Sequence, residues 1–230
     1  MPPRGTPSAR EPAWLRWQAW AGVVPLAGYL VLHLLTQATA LWGPLAHTRF
    51  EALGQGASWL LPLEVLLIYV PLVGYLVLGM ARAARESGPA ALGAGTLGGS
   101  AQAWRIVQQL SGAVLLVFIA VHVWELRVPA WRGELHASDY YPALCAQLSS
   151  TAWGGVPVAA IGYLLGVAAA ALHGANGLYR AGLALGFVDP SRARLWARVC
   201  GALGFALFGL GALIVIDLAT GSVLIHFSVS

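Results

Sequence analysis

The sequence predicts an all-α integral membrane protein with five transmembrane helices. Of its 230 residues, 58% are hydrophobic and 10% are charged, whereas a soluble domain carries about 25% charged residues. Each spanning helix needs about 20 apolar residues, so five spans and their connections use the whole chain as a single domain, residues 1–230. Any reaction of a soluble substrate is therefore expected on a partner chain.

Five apolar segments follow one another along the chain. The first comes after a polar, proline-rich start, MPPRGTPSAREPAW, and has no early small-residue cleavage site, so we expect it to be retained. Stretches rich in glycine and proline, such as GPAALGAGTLGGS, separate the segments. The predicted helices cover approximately residues 14–40, 58–81, 104–127, 156–179 and 195–218.

All thirteen basic residues are arginines, and their distribution predicts the orientation, because cytoplasmic loops carry an excess of positive charge. With the N-terminus inside, ten arginines lie on the inner side and three on the outer side. The inner set is Arg4, Arg10, Arg16, Arg82, Arg85, Arg105, Arg180, Arg192, Arg194 and Arg198, and the outer set is Arg49, Arg127 and Arg132. We predict a bacterial cytoplasmic membrane protein with its N-terminus in the cytoplasm and its C-terminus outside.

Three histidines lie deep in apolar segments, where ionisable side chains are costly and mark function. His33 is 17 residues beyond Arg16, and His122 is 17 residues beyond Arg105. At a rise of about 1.5 Å per residue, both lie roughly 25 Å from the inner face, at an outer level. His173 is 7 residues before Arg180, roughly 10 Å from the inner face, at an inner level.

Two histidines on different helices at one depth are what axial ligation of heme requires, since the two ligands approach the iron from opposite faces. The alternative is a pair of core histidines that bond to neighbouring carbonyls or hydroxyls. The matched depth of His33 and His122 favours heme. His47, His136 and His226 fall in loops or near the outer end, where solvated or interfacial side chains are expected.

Several stretches resemble the five-helix cytochrome b subunits of bacterial succinate:quinone oxidoreductases, the membrane anchors of succinate dehydrogenase and fumarate reductase. They are GVVPLAGYLVLHL, PLEVLLIYVPLVGYLVLG, VQQLSGAVLLVFIAVHVWELR and YLLGVAAAALHGANGLYRAGLALGF, from the first four helices. The resemblance implies a heme-binding four-helix bundle with a peripheral fifth helix. It also implies one heme-ligating histidine on each of the first four helices, which matches His33, His122 and His173.

The second helix departs from this family pattern, because Tyr75 stands where the resemblance implies a histidine. Tyr75 is 7 residues before Arg82, so it shares the inner level with His173. Three arrangements are open at this level. Tyrosinate can bind heme iron, as in catalase, His173 alone can hold an inner heme, or no inner heme is present. The sequence thus predicts one heme b at the outer level and leaves the second open.

The resemblance implies electron transfer between a membrane quinone and two peripheral subunits, a flavoprotein with the dicarboxylate site and an iron–sulfur protein. Membrane lipid is the other partner, and no nucleic acid is expected. Glu64 lies 18 residues before Arg82, at the outer level, where a carboxyl could exchange protons with quinone; the alternative is an interfacial residue near a helix start. Ala171 provides no acidic side chain near His173, which favours succinate oxidation.

Two other functions remain possible from the sequence. One is a cytochrome b subunit of another respiratory oxidoreductase, of the nitrate reductase or formate dehydrogenase type. The stretch Asn176-Gly177-Leu178 and the pattern from Glu64 to Gly79 speak against it. The other is a membrane anchor without redox function that has lost heme, which only Tyr75 supports.

Overall fold

The computed structural model describes Trp20 and residues 22–55, 60–86, 99–152 and 154–221, and every regular element within these ranges is helical. Helix α1, Gly28–Ala38, continues from a π-helical turn, Gly22–Ala27. The other α-helices are α2 (Pro44–Gln55), α3, α4, α5 (Tyr140–Ser149), α6 (Val158–Ala184) and α7 (Ala193–Thr220). Helix α3 consists of Leu60–Glu64 and Val70–Glu86, joined by the π-helical turn Val65–Tyr69. Helix α4 consists of Gly99–His122 and Val128–Trp131, joined by the π-helical turn Val123–Arg127.

Four helices in the described ranges are long and apolar enough to cross a membrane. They are Leu61–Ala81 of α3, Ala103–Trp131 of α4, Val158–Ala184 of α6 and Ala193–Thr220 of α7. These match the second to fifth predicted segments, and the protein is a multi-pass membrane protein. The predicted starts of the first two helices, residues 14 and 58, lie outside the described residues, so a fifth span stays a prediction.

Prolines explain three π-helical turns in the described residues, one before α1 and two in the membrane helices α3 and α4. Pro25 lies inside the turn before α1, while Pro71 and Pro129 each follow a π turn, in α3 and α4, by two residues. Proline offers no amide hydrogen to the carbonyl four residues earlier, and its ring clashes with that carbonyl. The chain relieves the clash by widening into a π turn. The π turn of α3 begins directly after Glu64, and the π turn of α4 ends at Arg127.

Helices α6 and α7 form the most tightly packed pair in the described part of the chain. A Cβ atom added at Gly204 would lie 2.8 Å from the Cβ of Ala175 and 3.2 Å from the carbonyl oxygen of Ala171. Small residues let membrane helices approach this closely and gain dispersion contacts. One face of α7 packs against α6 and α5 and buries Cys200, Ile214, Val215, Asp217 and Leu218, and the position of this helix at the periphery of the bundle stays a prediction.

Two connecting helices cover one end of the bundle, the end predicted to be outer. Helix α2 folds back after Gly43, whose φ of 97° lets the chain reverse after α1. Helix α5 places Leu144 and Leu148 in one buried cluster with Ile214 and Leu218 of α7. The sequence analysis predicted neither helix. Both are short and mixed in polarity, so their burial depends on tertiary packing rather than on a periodic apolar pattern.

The predicted orientation can be tested with one cysteine on each side of the membrane. Ser138, between α4 and α5, and Ser191, between α6 and α7, are both exposed. In a Cys145→Ser background, a membrane-impermeant thiol reagent should label Ser138→Cys in intact cells and Ser191→Cys only after permeabilisation. The opposite pattern would invert the orientation. Cys200 is only 2% exposed and should remain unlabelled in either orientation.

The close approach of α6 and α7 predicts that Gly204→Ala destabilises the protein. The added methyl group meets backbone as well as side-chain atoms, and overpacking of this kind costs about 1–3 kcal/mol. Gly209→Ala is the matched control in the same helix, because a Cβ there has no heavy atom within 4 Å. Unfolding of the purified protein in detergent should show a lower free energy for Gly204→Ala only. Equal effects of the two substitutions would contradict the close packing.

Candidate functional site

His33 of α1 and His122 of α4 face each other at the outer level. Their ring centroids are 5.8 Å apart and their planes meet at 79°. The equal spacing of the two residues from inner-side arginines predicts this common depth, and the structure adds that the two helices turn these faces toward each other. Two imidazoles that bind one metal from opposite sides through bonds of about 2 Å have centroids about 6 Å apart.

Aromatic side chains hold the two imidazoles in place. Tyr29 stacks on His33 at 5.6 Å between centroids, and Phe118 stacks on His122 at 5.4 Å. The hydroxyl of Tyr163 on α6 lies 3.2 Å from Nδ1 of His122. A partner on one ring nitrogen fixes the ring and directs the other nitrogen, Nε2, to a metal. The residues present therefore fit a two-ligand metal centre such as heme.

Helix α3, which carries Glu64, makes little contact with the other described membrane helices. None of the described residues of α3 is buried, and few backbone contacts join α3 to α4 or α6. This contrasts with the tight α6–α7 pair. No group of three or more His, Cys, Asp or Glu side chains suited to a metal ion occurs within the described residues.

The inner level has a different arrangement. Tyr75 of α3 and His173 of α6 lie across from each other, with ring centroids 6.4 Å apart. The side-chain nitrogen of Gln108 on α4 is 3.1 Å from Nδ1 and 3.2 Å from Nε2 of His173. Asn176 donates a hydrogen bond of 2.6 Å to Oε1 of Gln108. The backbone carbonyl oxygen of Gln108 lies 3.3 Å from Nδ1 of His173 and can accept its hydrogen. The side-chain nitrogen of Gln108 then donates to Nε2, the nitrogen that would otherwise face a metal.

Gly112 leaves room for the His173 imidazole itself. A Cβ atom added at Gly112 would lie 3.0 Å from Cε1 and 3.2 Å from Nδ1 of this ring. In the structure the ring of His173 occupies that space. The inner pair therefore fits a second two-ligand heme less well than His33 and His122 fit the first.

Glu64, the candidate proton-exchanging residue, forms a salt bridge with Arg127 of α4. Nε of Arg127 donates a hydrogen bond of 2.8 Å to Oε1 of Glu64, and Nη2 donates another to Oε2. The carboxylate also lies within electrostatic range of Tyr29, which stacks on His33. Glu64 therefore belongs to the outer site, as its depth predicts, but it is held by a partner that the sequence did not reveal.

Sequence reasoning missed the partners of the three deep histidines and of Glu64. Arg127 was assigned only to the outer side, yet it pairs with a residue 63 positions away. Gln108 contacts a histidine 65 positions away, and no local pattern signals either contact. The only signal available was the spacing of Asn176, three residues after His173, which places both on one helix face.

The three histidines assigned to loops have different outcomes. His136 is exposed, as expected, with a side-chain exposure of 75%. The expectation for His47 is wrong, because this side chain is completely buried under α1 and α5. His226 lies outside the described residues. The error at His47 arises because a polar connecting segment was expected to face water, whereas α2 folds back onto the end of the bundle.

Comparisons with known proteins show the family of this chain. The family model of the succinate dehydrogenase/fumarate reductase transmembrane subunit matches residues 89–222, more than half of the chain. A relative in Bacillus subtilis (strain 168), the succinate dehydrogenase cytochrome b558 subunit, is 27% identical over 187 residues. The match covers 80% of this chain and 85% of that relative. No solved structure matches the chain significantly.

Proposed function

Because the chain belongs to the succinate dehydrogenase/fumarate reductase transmembrane subunit family, we propose that it is the heme-carrying anchor of such a complex. In this role it passes electrons between an iron–sulfur partner and quinone in the membrane. The observation that carries the proposal is the facing pair His33 of α1 and His122 of α4, with ring centroids 5.8 Å apart. Heme b bound there would supply one-electron chemistry.

The chain's own residues bind and orient the cofactor in this proposal. His33 and His122 are the axial ligands, Tyr163 fixes the ring of His122, and Tyr29 and Phe118 fill the space beside the two rings. The surrounding apolar helices exclude water. Burial and ligand identity are the protein's means of setting the potential of such a centre.

Glu64 is the proposed residue for proton exchange with quinone at this level. The Arg127 guanidinium positions its carboxylate, and the hydroxyl of Tyr69 lies 3.5 Å from Oε1. A quinone headgroup carries two carbonyl oxygens, and each reduction adds two electrons and two protons. Charged and hydroxyl groups close to the outer histidine pair are therefore suitable partners for it.

The proposal also includes the partner subunits of the chain and its orientation in the membrane. The family relation supports association with a flavoprotein that carries the dicarboxylate site and with an iron–sulfur protein. These subunits are placed on the cytoplasmic side of a bacterial inner membrane, facing the arginines of the inner loops. Ala171, 5% exposed, offers no carboxyl for moving protons beside His173. This favours succinate oxidation as the direction of the reaction.

The inner level is proposed to hold no second bis-ligated heme. A neutral phenol is a weak iron ligand, and the tyrosinate anion is costly in a low-dielectric bundle. Gln108 also bonds both nitrogens of His173, Nδ1 through its backbone carbonyl and Nε2 through its side-chain amide. His173 therefore holds any inner heme alone, or none is bound. Complete loss of heme, as in an anchor without redox function, is disfavoured by the intact outer pair. Family membership disfavours the nitrate reductase and formate dehydrogenase types.

Replacing either outer histidine should abolish the low-spin heme. We expect His33→Ala and His122→Ala each to remove the low-spin signal, since one axial ligand is lost. His136→Ala, an exposed histidine on the same side, is the control and should retain full heme. The measurement is the reduced-minus-oxidised spectrum of the purified complex together with its heme-to-protein ratio. Full spectra from both outer variants would refute the pairing.

Restoring a histidine at the inner level should create a second heme site. We expect Tyr75→His to add a low-spin signal in electron paramagnetic resonance, because a second imidazole then faces His173. Tyr75→Phe is the control, as it removes the hydroxyl without supplying a ligand, and should add none. If the unaltered protein already contained two stoichiometric bis-histidine hemes, another residue would have to replace the missing ligand.

A further inference from the structure

A buried polar cluster lies beside the outer site and has no part in the proposed heme ligation. It consists of Gln37, at the end of α1, and His47 and Glu51, on α2. His47 is 0% exposed, while the side chain of Glu51 retains 15% exposure. The cluster therefore connects solvent, at Glu51, with a fully buried imidazole.

The hydrogen bonds of this cluster fix the tautomer of His47. Nε2 of Gln37 donates a bond of 2.8 Å to Oε1 of Glu51, so the amide oxygen of Gln37 points the other way. That oxygen lies 3.2 Å from Nε2 of His47. Because an amide oxygen only accepts hydrogen bonds, Nε2 of His47 carries the hydrogen. In the neutral ring, Nδ1 is then an unprotonated acceptor.

Nδ1 of His47 is buried and has no hydrogen-bond partner among the described residues. Leaving a buried polar atom unsatisfied costs about 1–3 kcal/mol, and each such atom calls for an explanation. A basic nitrogen in this position is suited to accept a proton or hydrogen bond from a hydroxyl group that enters the site. The hydroxyls of a quinol are donors of this kind.

The position of the cluster links it to the outer heme site. Gln37 lies four residues, about one helical turn, after His33 on α1, so the two share a helix face. The charged groups that act on the cluster come from several elements. His33 and Tyr29 lie on α1, Arg127 lies on α4, and Tyr141 of α5 is 6.0 Å from His47 between ring centroids.

The protonation of the cluster agrees with its use as a relay. Burial, and to a lesser extent the nearby His33, lowers the pKa of His47 to about 4, so the ring is neutral at pH 7. Burial raises the pKa of the Glu51 carboxyl, although the hydrogen bond from Gln37 and the Arg127 charge oppose the shift. The ring thus holds a proton only transiently, and the carboxyl protonates more readily than an exposed one.

We propose that His47, Gln37 and Glu51 form a proton path between the outer aqueous phase and quinone bound beside His33 and His122. The inference rests on the proposed function and deepens it. When a quinol is oxidised, one hydroxyl proton moves to Nδ1 of His47 while the Nε2 proton leaves for the Glu51 carboxylate, 3.8 Å away. Glu51 releases this proton to the outer aqueous phase and the ring returns to its Nε2–H tautomer, after which the second hydroxyl proton takes the same route. Both electrons leave through the complex to its dicarboxylate acceptor. In succinate oxidation every transfer runs in reverse.

The test measures the rate at which quinol reduces heme in the whole complex. Decylubiquinol and menadiol are mixed separately with oxidised complex in a stopped-flow instrument, and heme absorbance is recorded. We expect Glu51→Gln and His47→Gln to slow this reduction at least tenfold, as is usual for loss of a proton-transfer group. The static spectrum and the final extent of reduction should be unchanged. Glu134→Gln and His136→Gln, at exposed positions on the same side, are the matched controls.

Chemical rescue separates proton transfer from a structural role. Formate, a small carboxylic acid, should restore much of the rate in Glu51→Gln and have no effect on the controls. A rate for Glu51→Gln within twofold of Glu134→Gln, or a slow rate that formate leaves unchanged, would overturn the proton path alone. An unaltered complex without quinol-reducible heme would overturn the proposed function and the path with it. Glu51 is partly exposed, so its substitution tests the path even if His47→Gln does not assemble.

Discussion

The low dielectric of the membrane interior is the constraint on which this structure depends. A polar side chain there has no water to bond and must find a partner within the protein. His33 faces His122, Glu64 pairs with Arg127, and His173 lies against an amide side chain. A few polar pairs consequently determine the rotation of these helices about their axes. The apolar faces contribute little to this choice, because they can contact either lipid or protein.

The described bundle divides into a tight and a loose part, and different residues produce each. Glycines such as Gly204 bring α6 and α7 into backbone contact, which leaves no room for a cofactor between them. Helix α3 buries none of its described residues and approaches α4 and α6 at few points. Prolines widen α3 and α4 near their outer ends. The facing histidines lie between these parts, because Phe118, which stacks on His122, fills the space beside Gly166 of α6, whereas Glu64 lies on α3.

The two levels of the bundle differ chemically although they are built from the same helices. At the outer level each imidazole is supported by an aromatic ring, and Tyr163 directs His122. At the inner level, the side-chain amide and backbone carbonyl of Gln108 bond the ring of His173, Asn176 holds that side chain, and Tyr75 faces the ring in place of an imidazole. A histidine that is already satisfied by amides loses those bonds when it binds a metal. The levels are therefore unequal in their readiness to hold heme.

The sequence by itself determined the features that depend on local chain geometry. Apolar length identified the helices, and the constant rise per residue placed His33 and His122 at one depth and Tyr75 with His173 at another. Tertiary structure alone decided which helix faces meet. The rotation of a helix, and which helices become its neighbours, depend on contacts between residues that are distant in sequence. Glu64 thus gained Arg127 as a partner, and His47 became buried rather than solvated, since α2 folds back onto the bundle. No periodic pattern encodes such contacts.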